Sequence, residues 1–109
     1  RNKATLAHYA ARGGHTEVLK YLVKQSNKNI LNATDNDGWT LAHYAAHGGH
    51  TEVLKYLVEQ SDKNILNATS NNGWTLAHRA ARSGHTEILK YLVEQHDKNV
   101  LNATDVTVR

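Results

Sequence analysis

A repeat of 35 residues is the feature that most constrains what this chain can fold into. The tetrapeptide Thr-Leu-Ala-His occurs at 5–8, 40–43 and 75–78, and Gly-His-Thr-Glu begins nine residues after the start of each. Residues 4–34 and 39–69 are identical at 27 of 31 positions. Because one short repeat cannot bury its own apolar face, successive copies are expected to stack on each other. The predicted organisation is a single domain over 1–109, with copies at 1–34, 35–69 and 70–104 and a tail at 105–109.

Each copy predicts a turn followed by two short helices. In the middle copy, residues 35–38 are of the types that favour turns. Thr40 can cap the first helix, and Gly49 can end it in the left-handed conformation. An apolar stripe at helical spacing predicts a second helix over 51–60, and residues 65–68 are predicted to be an extended link. The fold class is therefore all-α, a helix-turn-helix solenoid with short hairpin-like turns.

These motifs resemble the ankyrin repeat. The middle copy matches that family's D-x-x-G turn at 35–38, its Thr and His at 40 and 43, and its G-H-x-E at 49–52. The family's proline is replaced, since all three copies have Thr-Leu-Ala-His. The period is 35 rather than about 33. The extra residues fall after the second helix, so we expect that helix to run on or the following loop to bulge.

The resemblance implies a non-catalytic protein-binding module that uses the turn tips and the first helix of each copy. Along that surface the copies differ at 4/39/74, 9/44/79 and 12/47/82, whereas the apolar stripe hardly changes. Trp39 and Trp74 are the leading candidates, because tryptophan and arginine are enriched at interface hot spots. Alternatively, the tryptophans cover the hairpin and pack on each other. The predicted partner-binding residues are Arg12, Asn36, Asp37, Trp39, Tyr44, His47, Asn71, Asn72, Trp74, Arg79 and Arg82, with Asn2 and Ala4 also on this surface.

Two sets of histidines, at 8/43/78 and 15/50/85, recur with the repeat. Equivalent residues in stacked helices lie roughly 8–10 Å apart, too far for one metal ion. We therefore expect no metal site. The first set is predicted to bond the turns and the second to begin the second helix and bond the backbone. The predicted structural residues are Thr40, His43, Gly49, His50, Thr75, His78, Gly84 and His85.

The composition disfavours catalysis and membrane insertion. The chain has no cysteine, no Gly-x-Ser-x-Gly motif and no phosphate loop, so we expect neither an enzyme nor a cofactor. It also has no apolar run near the roughly 20 residues that a membrane span needs. Without a signal-like segment, we expect a cytoplasmic protein.

Three alternatives to a dedicated binding module stay open. The near-identity of the copies favours an engineered or minimal array without a natural partner. Arg12, Arg79 and Arg82 beside Trp74 would suit a weak nucleic-acid surface, although Asp35 and Asp37 share that rim. Neither end carries a clearly polar capping repeat, so we also expect end-to-end self-association.

Asn32, Asn67 and Asn102 are candidate modification sites. Each begins Asn-Ala-Thr, which fits the N-glycosylation sequon. They also match an asparagine that looks like a hydroxylation site in some ankyrin proteins. The favoured interpretation is structural, a side-chain bond that holds the turn.

Overall fold

The structure, a computed structural model, describes residues 4–26, 28–60 and 63–95, without the side chains at 28, 29, 63 and 64. The predictions for Asn2, Asn102 and the tail at 105–109 lie outside the described residues.

The described residues form three pairs of short α-helices, one pair in each copy, as the sequence predicts. The helices are α1 (Leu6–Gly13), α2 (Thr16–Gln25), α3 (Leu41–Gly48), α4 (Thr51–Gln60), α5 (Leu76–Ser83) and α6 (Thr86–Gln95). Within these residues there is no strand, only an isolated bridge between Thr34 and Thr40. The all-α class is confirmed, and the second helix of the middle copy has the predicted bounds.

In the first two copies, the link after the second helix differs from the prediction. Residues 65–68 were expected to be extended, but Lys63–Asn67 forms a 3-10 helix, as does Lys28–Asn32 in the first copy. Its end is closed by Ala68 N, which donates to Ile65 O at 3.3 Å. A 3-10 helix rises about 2.0 Å per residue and an extended strand about 3.3 Å. The five residues of each 3-10 helix therefore span less distance than an extended segment of the same length would.

A reciprocal cap begins the first helix of each copy. His43 N donates to Thr40 Oγ1 at 3.2 Å, and Thr40 N donates to His43 Nδ1 at 3.1 Å. The same pair of bonds joins Thr5 to His8 and Thr75 to His78. This is a capping box with histidine in the position usually held by Glu or Gln. It satisfies two backbone donors at a helix start that has no proline.

Alanines let the first helices pack closely side by side. Ala11, Ala45, Ala46 and Ala80 are completely buried where α1, α3 and α5 meet. At Gly48, a Cβ atom would collide with the carbonyl oxygen of Arg12 in the preceding copy. The second helices cover this layer with larger apolar side chains. Those completely or almost completely buried are Leu19, Val53, Leu54, Leu57, Ile88 and Leu92.

The glycines that end the first helices offer a matched test of the packing between copies. Gly49 and Gly84 both have left-handed backbone, with φ of 78° and 76°. A Cβ at Gly49 would lie 2.6 Å from the His85 ring, whereas no described residue has an atom within 4 Å of a Cβ at Gly84. We expect Gly84→Ala to cost about 1–2 kcal/mol for the backbone alone. Gly49→Ala should cost at least about 1 kcal/mol more, because it also displaces the ring.

Urea unfolding followed by far-ultraviolet circular dichroism measures both variants against the unmodified chain. Equal losses of unfolding free energy would contradict the expectation, since they would mean that backbone conformation alone accounts for the need for glycine.

Candidate protein-binding site

The hairpins before α3 and α5 are each held by the side chain at their start. Asp35 Oδ1 accepts from Asp37 N at 2.9 Å and from Trp39 N at 3.0 Å. In the next copy Ser70 Oγ accepts from Trp74 N at 3.2 Å. Both Asp35 and Ser70 are buried. Sequence reasoning found the turn but missed that a short polar side chain at this position holds it in the manner of an Asx- or ST-turn.

The repeated asparagines are predicted to hold the turn through a side-chain bond. Asn32 and Asn67 are exposed at the ends of the 3-10 helices. The side-chain bonds that hold the hairpins before α3 and α5 come from Asp35 and Ser70.

Successive hairpins are tied to each other at their tips. Asn71 N donates to Asp37 O at 2.9 Å, and Asn71 Nδ2 donates to Asn36 O at 3.1 Å. Asn36, Asp37 and Asn72 are exposed. Among the predicted tip residues, Asn71 thus links two successive hairpins, while the exposed side chains of the others are accessible to a partner.

The two tryptophans pack on each other and on the capping histidines. The Trp39 and Trp74 ring centroids lie 5.8 Å apart at 72°, and Trp39 meets the His43 ring at 4.8 Å. Both indoles stay partly exposed. Edge-to-face pairs of this kind stabilise by about 0.5–1.5 kcal/mol beyond their buried area. The two tryptophans therefore pack on each other and are at the same time partly accessible at the surface.

Arginines from the third copy stack on this aromatic pair. The Arg79 guanidinium lies 4.4 Å from the Trp39 ring centroid and 6.0 Å from that of Trp74. Arg82 lies 5.7 Å from the Trp74 ring centroid. The structure thus brings four predicted partner-binding residues into one cluster, which we call the Trp–Arg cluster: Trp39, Trp74, Arg79 and Arg82.

The first set of histidines also links one copy to the next. His43 Nδ1 accepts from Thr40 N, so the proton of the neutral ring is on Nε2, which donates to Trp74 O at 2.9 Å. His8 Nε2 donates in the same way to Trp39 O at 3.2 Å. The sequence predicted the bond within the turn. The second bond, to a carbonyl 31 residues away, left no local signal.

The second set of histidines packs against the helix end of the preceding copy. His85 Nε2 donates to His47 O at 2.9 Å, and the His50 ring lies where a Cβ on Gly14 would be. His47 is itself placed by a contact of 3.4 Å between its Nδ1 and Ser83 Oγ. In the described part of the chain, no three histidine or carboxylate side chains converge as a metal site requires.

A cleft of about 220 Å³ opens beside the Trp–Arg cluster. Tyr44 contributes its hydroxyl group, which donates to Asp35 Oδ2 at 2.5 Å. Arg12 and His47 reach the cleft from the last turns of α1 and α3. The lining draws on all three copies and consists of Arg12, Asp35, Asp37, Trp39, His43, Tyr44, His47 and Arg79.

Burial holds three histidines of this surface in their neutral form. Desolvation lowers the pKa of His43 to about 4, against the opposing effect of its bond to Trp74 O. Desolvation also lowers the pKa of His8. The pKa of His47 is lowered by burial and then by the neighbouring charges of Arg79 and Arg12.

Protonation of His43 is therefore expected to destabilise the fold. The unfolded chain, with a histidine pKa near 6.5, binds more protons than the folded chain between pH 6.5 and about 4. Stability from this group is complete above pH 6.5 and declines as pH falls through that window. We expect about 2 kcal/mol less stability at pH 5 than at pH 7.5 from His43. Urea unfolding at the two pH values measures it.

His43→Gln is the matched control, because glutamine in this position keeps the capping box and does not titrate. The difference in unfolding free energy between pH 7.5 and pH 5 should shrink by most of that amount. The same pH dependence in both proteins would show that His43 is not the group responsible.

The comparison with known protein families agrees with this architecture. A family model described as ankyrin repeats matches residues 7–105 in three copies. A search of curated proteins finds no match to the chain. No helix among the described residues has the length and apolar character to span a bilayer.

Proposed function

This chain belongs to the ankyrin repeat family, and we propose that it is a protein-binding module that uses its first-helix face. We define this face as the hairpin tips with α1, α3 and α5. Ankyrin repeats are generally protein-interaction modules, and the family is typically non-enzymatic. The observation that carries the proposal is the partly exposed Trp–Arg cluster on this face.

The Trp–Arg cluster has the properties of a preorganised contact surface. Arg79 is held on two indoles, so less side-chain freedom remains to be lost when a partner binds. Within the cluster Arg82 is exposed, and around the cluster Asn36 and Asp37 are exposed. An aromatic and arginine centre surrounded by polar side chains matches the usual composition of a binding hot spot.

Photo-cross-linking tests where a partner contacts the array. A benzophenone amino acid at position 82 or 36 should cross-link a partner in an extract, because both side chains are exposed on the first-helix face. The same amino acid at position 55, exposed on α4, should not. The products are resolved by gel electrophoresis and mass spectrometry.

Cross-links from position 55 alone, or equal cross-links from all three positions, would contradict the proposed face. These exposed positions are better probes than the tryptophans. Trp39→Ala would also remove packing against His43 and Trp74, so a loss of binding could not be separated from a loss of fold stability.

The ends of the array favour a second function, head-to-tail self-association. In the first copy Leu6 is 74% exposed and Tyr21 is 61% exposed. Their equivalents Leu41 and Tyr56 are 1% and 8% exposed, because the preceding copy covers them. At the other end Ala81 is exposed, although its equivalents in the first two copies are completely buried. The chain thus presents both halves of its own internal interface.

An apolar pocket on the first copy strengthens this proposal. The pocket of about 290 Å³ is lined by side chains that include Thr5, Ala7 and Leu22. Its counterpart beside Thr40, Ala42 and Leu57 has about 180 Å³ and is also lined by Leu31 and Asn32 of the preceding copy. In a head-to-tail contact, a second molecule would cover this pocket. The contact joins different surfaces, so it is heterologous and open-ended.

Two complementary variants test head-to-tail association. Leu6→Glu blocks the N-terminal end surface and Ala81→Glu blocks the C-terminal one. We expect each variant alone to be monomeric and the equimolar mixture to form a 1:1 dimer, because one intact end of each kind remains. Light scattering behind size exclusion, across protein concentration, measures the mass against the 12.1 kDa monomer.

Lys55→Glu, exposed on α4, is the control and should associate like the unmodified chain. A wild-type protein that stays monomeric at all concentrations would refute self-association. Loss of assembly by Leu6→Glu together with full assembly by Ala81→Glu would indicate a symmetric dimer through the N-terminal end instead.

A further inference from the structure

Arg12 and Arg79 line the cleft, and the charge of Arg82 acts on Arg79. In the described part of the chain, ion pairs join Lys20 to Glu17 and Lys90 to Glu87, and none includes Arg12, Arg79 or Arg82. The pKa of Arg79 is lowered by burial and then by Arg82, with Arg12 contributing, whereas Tyr44 and Asp35 oppose this shift. The arginine side of the cleft therefore carries a positive potential that no ion pair among the described residues neutralises.

Arg79 also has an unused donor. Its Nε atom is buried, and no acceptor among the described residues lies within hydrogen-bonding distance. A buried donor left without an acceptor costs about 1–3 kcal/mol. Arg79 itself lines the cleft, although its Nε atom is not exposed there.

The aspartates of the cleft do not neutralise these arginines. Asp35 is buried, and its two oxygens accept hydrogen bonds from Asp37 N, Trp39 N and the Tyr44 hydroxyl group. Asp37 lines the rim, where it is exposed. The cleft thus has a basic end, at Arg12 and Arg79, and an acidic side at the hairpin.

We propose that the cleft binds a glutamate or aspartate side chain of the partner, with Arg79 as the main contact and Arg12 and Arg82 as flanking charges. This inference rests on the proposed protein-binding function and names the partner's chemistry. A carboxylate fits because the planar guanidinium group presents a fork of donors that matches it. The neighbouring indoles would cover the methylene groups of the same side chain.

A single carboxylate suits this cleft better than a nucleic acid does. Asp37 and Asp35 line the same space, so a strand with a charge on every phosphate would meet repulsion at the hairpin. A peptide can place one acidic group at the basic end and neutral groups beside the aspartates. The volume of about 220 Å³ is that of a site for a side chain rather than for a row of nucleotides.

The experiment begins with selection of random 12-residue peptides displayed on phage against the whole chain. We expect enrichment of sequences with Glu or Asp. The best peptide is then synthesised with its acidic residue and with the Glu→Gln (or Asp→Asn) change, and binding is measured by fluorescence anisotropy. Arg79→Gln should weaken the acidic peptide roughly 10- to 100-fold, the usual range for a hydrogen bond to a charged group.

A double-mutant cycle isolates the contact. The amide peptide should bind the unmodified chain and Arg79→Gln equally, because the pair is already broken. Arg12→Gln, at an exposed position, gives a second variant that keeps the fold. Lys55→Gln removes the same charge from α4 and should leave affinity unchanged. Circular dichroism verifies that each variant is folded.

The outcomes separate this inference from the function on which it rests. Peptides without acidic residues, or acidic peptides insensitive to both arginine changes, would overturn the carboxylate site and leave a binding module. If no peptide is enriched, both proposals fail. If oligothymidylate binds through Arg79 with a steep salt dependence and displaces the acidic peptide, the surface is a nucleic-acid site instead.

Discussion

The hydrogen bond from His8 and His43 to a carbonyl of the next copy is the interaction on which the rest of the structure depends. His43 uses one ring nitrogen to start its own helix and the other to hold Trp74 O. Each α-helix among the described residues has 8 or 10 residues, which is too short to be stable alone. Helix initiation and stacking are therefore coupled through one neutral side chain. The same ring holds the carbonyl group of Trp74 in place. The geometry of the first-helix face therefore depends on this contact between copies.

The parts of the fold that depend on neighbouring residues could be predicted from the sequence. The two helices per copy, the Thr40 cap and the glycine end follow from patterns within about ten residues, and the period follows from comparison of the copies. The 3-10 link could not be predicted, because residues 65–68 have the apolar character of a buried strand as well as of a tight helix. Leu66 is buried in the stacked array, and that environment leaves no mark on the sequence of the link itself.

The candidate site shows the same division. Variation between copies at 39/74, 44/79 and 47/82 can be read directly from the sequence. The stacking of Arg79 on Trp39 was not foreseen, because it joins residues 40 positions apart in two different copies. The role of Asp35 was foreseen only in part. The sequence placed it in the turn and on the rim, and its second oxygen also accepts from Tyr44 and so shapes the cleft.

The composition of the cleft has a consequence for how the array holds together. Arg12 comes from the first copy, Trp39 and His47 from the second and Arg79 from the third. A ligand seated there bridges both junctions between copies, and it can be bound fully only while both are closed. In a linear array the terminal copies unfold most readily. A ligand that binds only when both junctions are closed therefore stabilises all three copies against unfolding. Occupancy would then oppose fraying of the first and last copies alike, although the ligand touches only one side of each.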